Sequence, residues 1–184
     1  MNIIVRPYGS ELCYCRPDTT WEKEGRDLYV PDGVNKILWA PVAFARVSKA
    51  GKCVNYKFVT RYYDAIGFGT LLYSDDKELA FSSCMDHSSL LPMPLYDPVV
   101  LGNDENVFHM SVGTHQSQHT MGKNIQELME AAICKASERI TLRIGDLVAV
   151  ELSSLEEMAE GQNSETEIKG RFQENDLFDL KVIF

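Results

Sequence analysis

The chain has 184 residues, of which 45% are apolar and 24% are charged, and its net charge at pH 7 is −9. This length suits one globular domain with its own core. The acidic balance argues against nucleic acid and against an anionic membrane surface as partners, because both attract basic proteins.

The first half of the chain alternates turns with apolar segments. Residues 2–5 predict a short strand, and residues 36–48 predict a longer one in which Pro41 indicates a bulge or a sheet edge. Residues 55–66 have helical spacing of apolar side chains, with Asn55 as N-cap and Gly67 as the end. The next strand is predicted at 70–74.

The second half predicts more strands around one long helix. The helix covers 124–139, because Ile125, Met129 and Ile133 form an apolar stripe. Residues 75–98 and 153–165 are expected to be irregular, and the acidic 153–165 segment is expected to be a loop. The predicted strands are 106–112, 147–152, 166–171 and 177–183. Few helices among many strands indicate an α+β domain.

No secretory signal pattern opens the chain, and no apolar run approaches the ~20 residues that span a bilayer. Five cysteines without such a signal indicate reduced thiols in a cytoplasmic protein. Cys13 and Cys15 lack the second pair that a zinc site needs, so we interpret them as part of a strand edge or loop.

Three blocks of sequence, in their order, resemble the fumarylacetoacetate hydrolase superfamily. Residues 42–71 resemble its strand, turn and Gly-x-Gly segment. Met85-Asp86 before Ser88-Ser89 is similar to its Phe-Asp-x-Ser stretch, and residues 124–152 resemble its long helix followed by Thr-Leu-x-x-Gly-Asp. The resemblance runs from about residue 25 to the end. It implies one domain, 1–184, with a variable N-terminal segment at 1–24, folded as an α+β mixed β-roll or β-sandwich.

The resemblance also implies a chemistry whose central residues are missing here. Family members hydrolyse carbon–carbon bonds in diketo acids, or decarboxylate or isomerise oxo acids. They use Mg²⁺ or Ca²⁺ held by carboxylates to stabilise an enolate. The family's Glu-x-Glu falls on Ala40 and Val42, its Asp on Leu71 and its Lys on Ser83. We therefore expect no metal, and Val42, Leu71 and Ser83 become candidate ligand-contacting positions in a vacated site.

Two functions follow as hypotheses. The first is a protein without the metal site that binds a small oxo-acid-like or apolar ligand, or that serves as the inactive subunit of a homodimer or of a heteromer with an active relative. The alternative is an active hydrolase, isomerase or decarboxylase with a relocated or metal-free site. Asp86 and His87 are its catalytic candidates, although Asp86 also suits the capping of a turn.

The remaining candidate groups favour ordinary structural roles. Asp75-Asp76 is expected to be solvated at a strand end. His115 and His119 are expected to share a face only on a helix, but their segment indicates strand and turn, so they and His109 are expected to be surface or partly buried groups. Cys84 lacks a clear cationic neighbour that would activate a nucleophile. The acidic run is expected to be a solvated loop; it comprises Glu151, Glu156, Glu157 and Glu160.

Overall fold

The computed structural model describes residues 1–76, 79–158 and 165–184, which fold mainly into two β-sheets. The strands of the larger sheet are β1 (Ile3–Arg6), β2 (Tyr14–Arg16), β3 (Trp21–Glu22), β5 (Ile37–Val47), β6 (Tyr63–Ser74), β7 (Ser89–Leu90), β10 (Leu147–Glu151) and β11 (Glu156–Glu157). Their order is β2-β1-β10-β5-β6-β7-β3, and β11 also pairs with β5.

The smaller sheet has five strands in the order β4-β13-β12-β8-β9. They are β4 (Leu28–Tyr29), β8 (Asn103–Val112), β9 (His115–Met121), β12 (Glu165–Phe172) and β13 (Asn175–Ile183). The helices among the described residues are α1 (Leu79–Ser82), α2 (Lys123–Arg139) and 3-10 turns at Asp18–Thr20, Tyr56–Arg61 and Pro98–Val100.

One continuous core joins both sheets to α2. Phe68 of the larger sheet stacks on Phe172 of the smaller one, with ring centroids 4.2 Å apart. Helix α2 adds Ile125, Met129 and Ile133 to this core, as its apolar stripe predicts. Neither α-helix in the described part of the chain has the length and apolar character that a membrane-spanning helix requires.

Most predicted elements are confirmed, with boundaries within a few residues. The confirmed elements are the strands at 2–5, 36–48, 106–112, 147–152, 166–171 and 177–183 and the helix at 124–139. Segment 75–98 is largely irregular, as expected, but it contains α1 and β7.

The helix predicted at 55–66 is wrong in type and length. The Asn55 carboxamide does accept a hydrogen bond from the Lys57 amide at 3.0 Å, so the N-cap is correct. The element that follows is a 3-10 helix that ends at Arg61, and β6 begins at Tyr63. Apolar residues on both faces of β6 imitate helical spacing because the strand is buried on both sides.

Gly67 and Gly69 therefore lie inside a strand rather than at a helix end. A Cβ at Gly69 would lie 2.0 Å from the Leu90 carbonyl oxygen, and one at Gly67 would lie 2.1 Å from the Phe44 ring. The two glycines let β7 and a phenyl ring approach the backbone of β6 closely.

Pro41 is neither at a sheet edge nor at a bulge. Strand β5 lies between β6 and β10, and its register with β6 continues through the pair Pro41–Thr70. The irregularity falls instead at Arg46/Val47. Pairing on the other side of Pro41 is interrupted, because β10 ends opposite Val42 and β11 begins opposite Trp39.

The acidic loop predicted at 153–165 is partly wrong. Glu156 and Glu157 form β11 and pair with Trp39 and Leu38. Glu151 belongs to β10 and is 6% exposed, so it is a buried carboxyl group rather than part of a solvated run. Glu160 lies outside the described residues.

Candidate functional site

Three of the four positions where the family would carry charged groups lie together on one face of the larger sheet. Ala40 pairs with Leu71 across β5 and β6, and Val42 is two residues further along β5. Alternate residues of a strand face the same side, so the three side chains point to one face. All three have no exposed surface, and Val42 and Leu71 belong to one apolar cluster. Their place is filled by packed hydrocarbon.

The fourth position, Ser83, follows helix α1. Its side chain is 1% exposed, and its hydroxyl donates to the Ala80 carbonyl at 3.1 Å. No group of three or more histidine, cysteine or acidic side chains suited to a metal ion occurs within the described residues. The expectation that no metal binds, and the ligand-contacting roles of Val42, Leu71 and Ser83, remain predictions.

A buried polar network adjoins this apolar patch on the same face. Glu151 of β10 lies opposite Val42, and Tyr73 is two residues beyond Leu71 on β6. The Tyr73 hydroxyl donates a short hydrogen bond to Oε1 of Glu151, and the Tyr8 amide donates to its Oε2 at 2.9 Å. One carboxylate is therefore present beside the family position, displaced by one strand.

Strand β2 adds a second phenol and a cation to the network. The hydroxyl oxygens of Tyr14 and Tyr73 are 2.6 Å apart. The Arg16 guanidinium lies 4.7 Å from the centre of the Tyr73 ring, and its Nη2 donates to the Leu72 carbonyl and the Ser88 hydroxyl. Nε and Nη1 of Arg16 have no hydrogen-bond partner in the part of the chain that the structure describes.

Burial sets the proton affinities of this network. Loss of water raises the pKa of Tyr14 to about 12, and it raises the pKa of Tyr73 well above the ordinary value for a phenol. Loss of water also raises the pKa of the Glu151 carboxyl group, while the Tyr73 hydroxyl, the Tyr8 amide and the Arg16 charge oppose that rise. A cavity of about 230 Å³ is lined by Tyr8, Tyr14, Tyr73 and Glu151 and by residues 154–155.

A second candidate region contains Asp86 and His87. Both line a cavity of about 890 Å³ together with Glu22. Nδ1 of His87 lies 3.2 Å from Oε2 of Glu22, which is 5% exposed. His87 adopts a φ of 60°, a conformation that non-glycine residues rarely adopt. The structure thus pairs His87 with a buried carboxylate that is remote in sequence.

Asp86 itself is exposed and does not close its turn. The amide and the hydroxyl of Ser88 both donate to the Met85 carbonyl, so Ser88 supplies the closing hydrogen bonds. The Cys84 thiol lines the same cavity and donates to the Ala80 carbonyl at 2.9 Å. Catalytic roles for Asp86 and His87 stay predictions.

The other candidate groups are dispersed. Asp75 and Asp76 are exposed just after β6. His115 lies 3.0 Å from Glu156 and is half exposed, whereas burial lowers the pKa of His119. These two histidines do face the same side, because alternate residues of strand β9 do so, and the restriction to a helix was wrong. All five cysteines are free thiols, and Cys15 lies in the edge strand β2.

Sequence reasoning missed Tyr14, Arg16, Glu22 and Tyr73 and misplaced Glu151. Glu151 lies within the strand predicted at 147–152, and alternation places it on the same face as Leu147 and Ala149. That pattern could have moved Glu151 out of the acidic loop. Tyr14 and Arg16 meet Tyr73, and Glu22 meets His87, only through strand pairing between distant segments, for which the sequence offers no local signal.

The arrangement of two sheets and one long helix defines an α+β domain, and its particular fold is that of the fumarylacetoacetate hydrolase family. A Yersinia pestis protein provisionally assigned to that family has a TM-score of 0.78 and 11% identity, over 99% of this chain and 92% of its own. The resemblance inferred from sequence is therefore confirmed at the level of the fold.

Two enzymes of known structure share this fold. A fumarylpyruvate hydrolase from Pseudomonas aeruginosa, solved with Mn²⁺ and pyruvate, has a TM-score of 0.81 and 13% identity, over 100% of this chain and 90% of its own. A 5-carboxymethyl-2-hydroxymuconate delta-isomerase from Mycobacterium smegmatis has a TM-score of 0.77 and 10% identity, with coverages of 99% and 78%. The sequence matches no protein-family model and no curated protein.

Proposed function

We propose that this chain is a divergent member of the fumarylacetoacetate hydrolase superfamily that has lost the metal centre and binds a small oxo-acid-like or apolar ligand. The observation that carries the proposal is the complete burial of Ala40, Val42 and Leu71, of which the last two belong to one apolar cluster. On this proposal the protein works in the cytoplasm as a homodimer, or as the inactive subunit of a heteromer with a metal-binding relative.

The physical reason is the coordination chemistry of hard cations. Mg²⁺ and Ca²⁺ need about six or more oxygen ligands, and several must be carboxylates to offset the lost hydration. Methyl and methylene groups supply no such compensation, and an ion among them would be strongly disfavoured. Glu151 is a single carboxyl group, and both of its oxygens already accept hydrogen bonds.

Calorimetric titration of the metal-stripped protein with Mg²⁺, Mn²⁺ and Ca²⁺ tests the proposal. The fumarylpyruvate hydrolase from Pseudomonas aeruginosa, whose solved structure holds Mn²⁺, is the positive control. We expect no saturable heat from this chain up to millimolar metal. Saturable binding that disappears in Glu151→Gln would overturn the proposal, because it would reveal a rebuilt metal site.

A relocated, metal-free active site is a second candidate function, favoured by the contact between His87 and the buried Glu22. A histidine held by a carboxylate can accept and donate protons near neutral pH, and the adjoining cavity has room for a diketo acid. Fumarylpyruvate is the probe, and loss of its enol absorbance is the measurement. Turnover by the metal-free protein that is lost in both His87→Gln and Glu22→Gln, but kept in Asp75→Asn, would establish this function. Equal background rates in all four proteins would exclude it.

A further inference from the structure

We propose that Tyr14, Tyr73 and Glu151 form a proton relay that receives the hydroxyl proton of a small enol or phenol bound in the adjoining 230 Å³ cavity. The relay rests on the proposed function, because it deprotonates the bound ligand without a metal ion. It assigns to that ligand a chemical class, a hydroxyl group on an sp² carbon.

The hydrogen-bond directions in the network follow from the carboxylate. An ionised Glu151 has no proton, so Tyr73 must donate its single hydroxyl proton to Oε1. The hydrogen bond between the phenols must then run from Tyr14 to Tyr73. Tyr14 is left with a free lone pair at the cavity, so the chain ends in an acceptor for an O–H donor.

Proton transfer along this chain is balanced. The ligand O–H bond breaks and a new O–H bond forms on Tyr14, whose own proton passes to Tyr73. The proton of Tyr73 passes to Oε1 of Glu151, which becomes a neutral carboxylic acid. The ligand keeps the electron pair as an enolate or phenolate. One negative charge moves from Glu151 to the ligand, and the net charge of the site stays constant.

The surroundings favour this movement of charge. Burial raises the pKa of Glu151, so the protonated end state is stabilised relative to a carboxyl group in water. The Arg16 guanidinium lies over the Tyr73 ring at the centre of the relay and offsets negative charge at either end. Among the described residues, the other charged or titratable groups that line these cavities are Tyr8, in the same cavity, and Arg6 and Glu11, in a neighbouring cavity that Glu151 also lines.

The cavity walls suit a flat ligand. Tyr8, Tyr14 and Tyr73 bring three aromatic rings to its lining, and Leu155 adds an aliphatic side chain. Aromatic rings pack well against planar conjugated molecules. A volume of about 230 Å³ limits the ligand to one ring or to a short conjugated chain.

Two small probes test the relay. 4-Nitrophenol represents phenols and acetylacetone represents enols, and both absorb differently when they ionise. Each is titrated at a pH where the free probe is mainly protonated, against the wild type, Tyr73→Phe, Glu151→Gln and the control Asp75→Asn. We expect the wild type and Asp75→Asn to bind at least one probe in its ionised form. Both relay variants should show at least tenfold less ionised probe at equal occupancy.

Tyr14→Phe, at the half-buried end of the chain, provides the same test if a buried variant fails to fold. Ionisation of 4-nitrophenol alone would identify a phenol site, and ionisation of acetylacetone would identify an enol site. No binding of either probe by the wild type, or undiminished ionisation in the variants, would overturn the relay. Metal calorimetry is read separately, so the relay and the loss of the metal centre can fail independently.

Discussion

One face of the larger sheet carries two neighbourhoods of opposite character. Around Ala40, Val42 and Leu71 it is apolar and closed to solvent. One strand away, Glu151 and Tyr73 are also buried but polar, and they line a cavity. The comparison teaches that fully apolar packing and buried ionisable groups can adjoin each other on the same face of one sheet. The buried carboxyl group lies on β10, one strand from Val42, and its partners are the Tyr73 phenol and the Tyr8 amide.

Placing a carboxylate back in the closed neighbourhood should have the largest effect. Leu71→Asp would bury a charge without a partner, and we expect the free energy of unfolding to fall by about 4 kcal/mol. Chemical denaturation measures it. Leu71→Ala is the matched control for lost packing, with an expected loss of about 3 kcal/mol. If Leu71→Asp folds as stably as the wild type and gains affinity for Mg²⁺, the closed neighbourhood is a latent metal site.

A methyl side chain added to β6 in the closed neighbourhood should also destabilise the protein. Gly69→Ala would place Cβ against the Leu90 carbonyl oxygen, so β6 and β7 must separate. We expect a loss of about 2–3 kcal/mol in unfolding free energy, a typical cost of overpacking. Asp75→Ala, just beyond the end of the same strand, should change it by less than about 0.5 kcal/mol. Equal stability of the two variants would contradict the close approach of β7.

The polar neighbourhood should tolerate change better. Tyr73→Phe removes one hydroxyl and leaves Oε1 of Glu151 without its donor, which costs about 1–3 kcal/mol. Thermal denaturation of this variant and of Tyr14→Phe measures the difference. The Tyr14 variant should lose less, since Tyr14 is only half buried and does not bond to Glu151 directly. A larger loss of stability in Tyr14→Phe would mean that the hydroxyl group on β2 stabilises the network more than the hydroxyl group on β6 does.

The pH dependence of stability should identify Glu151. Its pKa is raised in the folded state above the ordinary value of 4.5, so folding favours its protonated form. Its stabilising contribution is complete below 4.5 and is lost as the pH rises through the folded-state pKa. The unfolding free energy of the wild type should therefore fall relative to Glu151→Gln across this interval. Parallel profiles for the two proteins would show that the carboxyl group titrates normally.

The exposed candidate region should respond least. His87→Gly removes the contact with Glu22, but it also relieves a positive φ, and these effects oppose each other. We expect a net change below about 1 kcal/mol in unfolding free energy, measured by denaturation. His87→Ala, which loses the contact without relieving the backbone, should be less stable than the glycine variant. The reverse order would mean that relief of the positive φ is smaller than the conformational entropy that glycine adds to the unfolded chain.

How well the sequence predicts each region depends on how far apart in sequence its contacting residues lie. Strands at 36–48 and 147–152 follow from local alternation and apolar content, and Asn55 caps a turn two residues away. The Gly-Phe-Gly segment suggested the wrong element. Its glycines are required by the close approach of Phe44 and Leu90, which are remote in sequence, and not by a helix end. The pairing of His87 with Glu22 and of Tyr73 with Glu151 depends on strand register, which only the assembled sheet defines.

Pro41 affects the neighbouring strands β10 and β11 through the backbone N–H that it lacks. Its carbonyl accepts from the Leu152 amide at 2.8 Å, and the amide and carbonyl of one strand residue point the same way. The missing N–H of the proline therefore faces the junction where β10 stops and β11 starts. The chain leaves the sheet there, and residues 154–155 become a wall of the cavity beside Tyr14. Pro41 does not line that cavity, yet it lies opposite the interruption in strand pairing from which one of the cavity's walls departs.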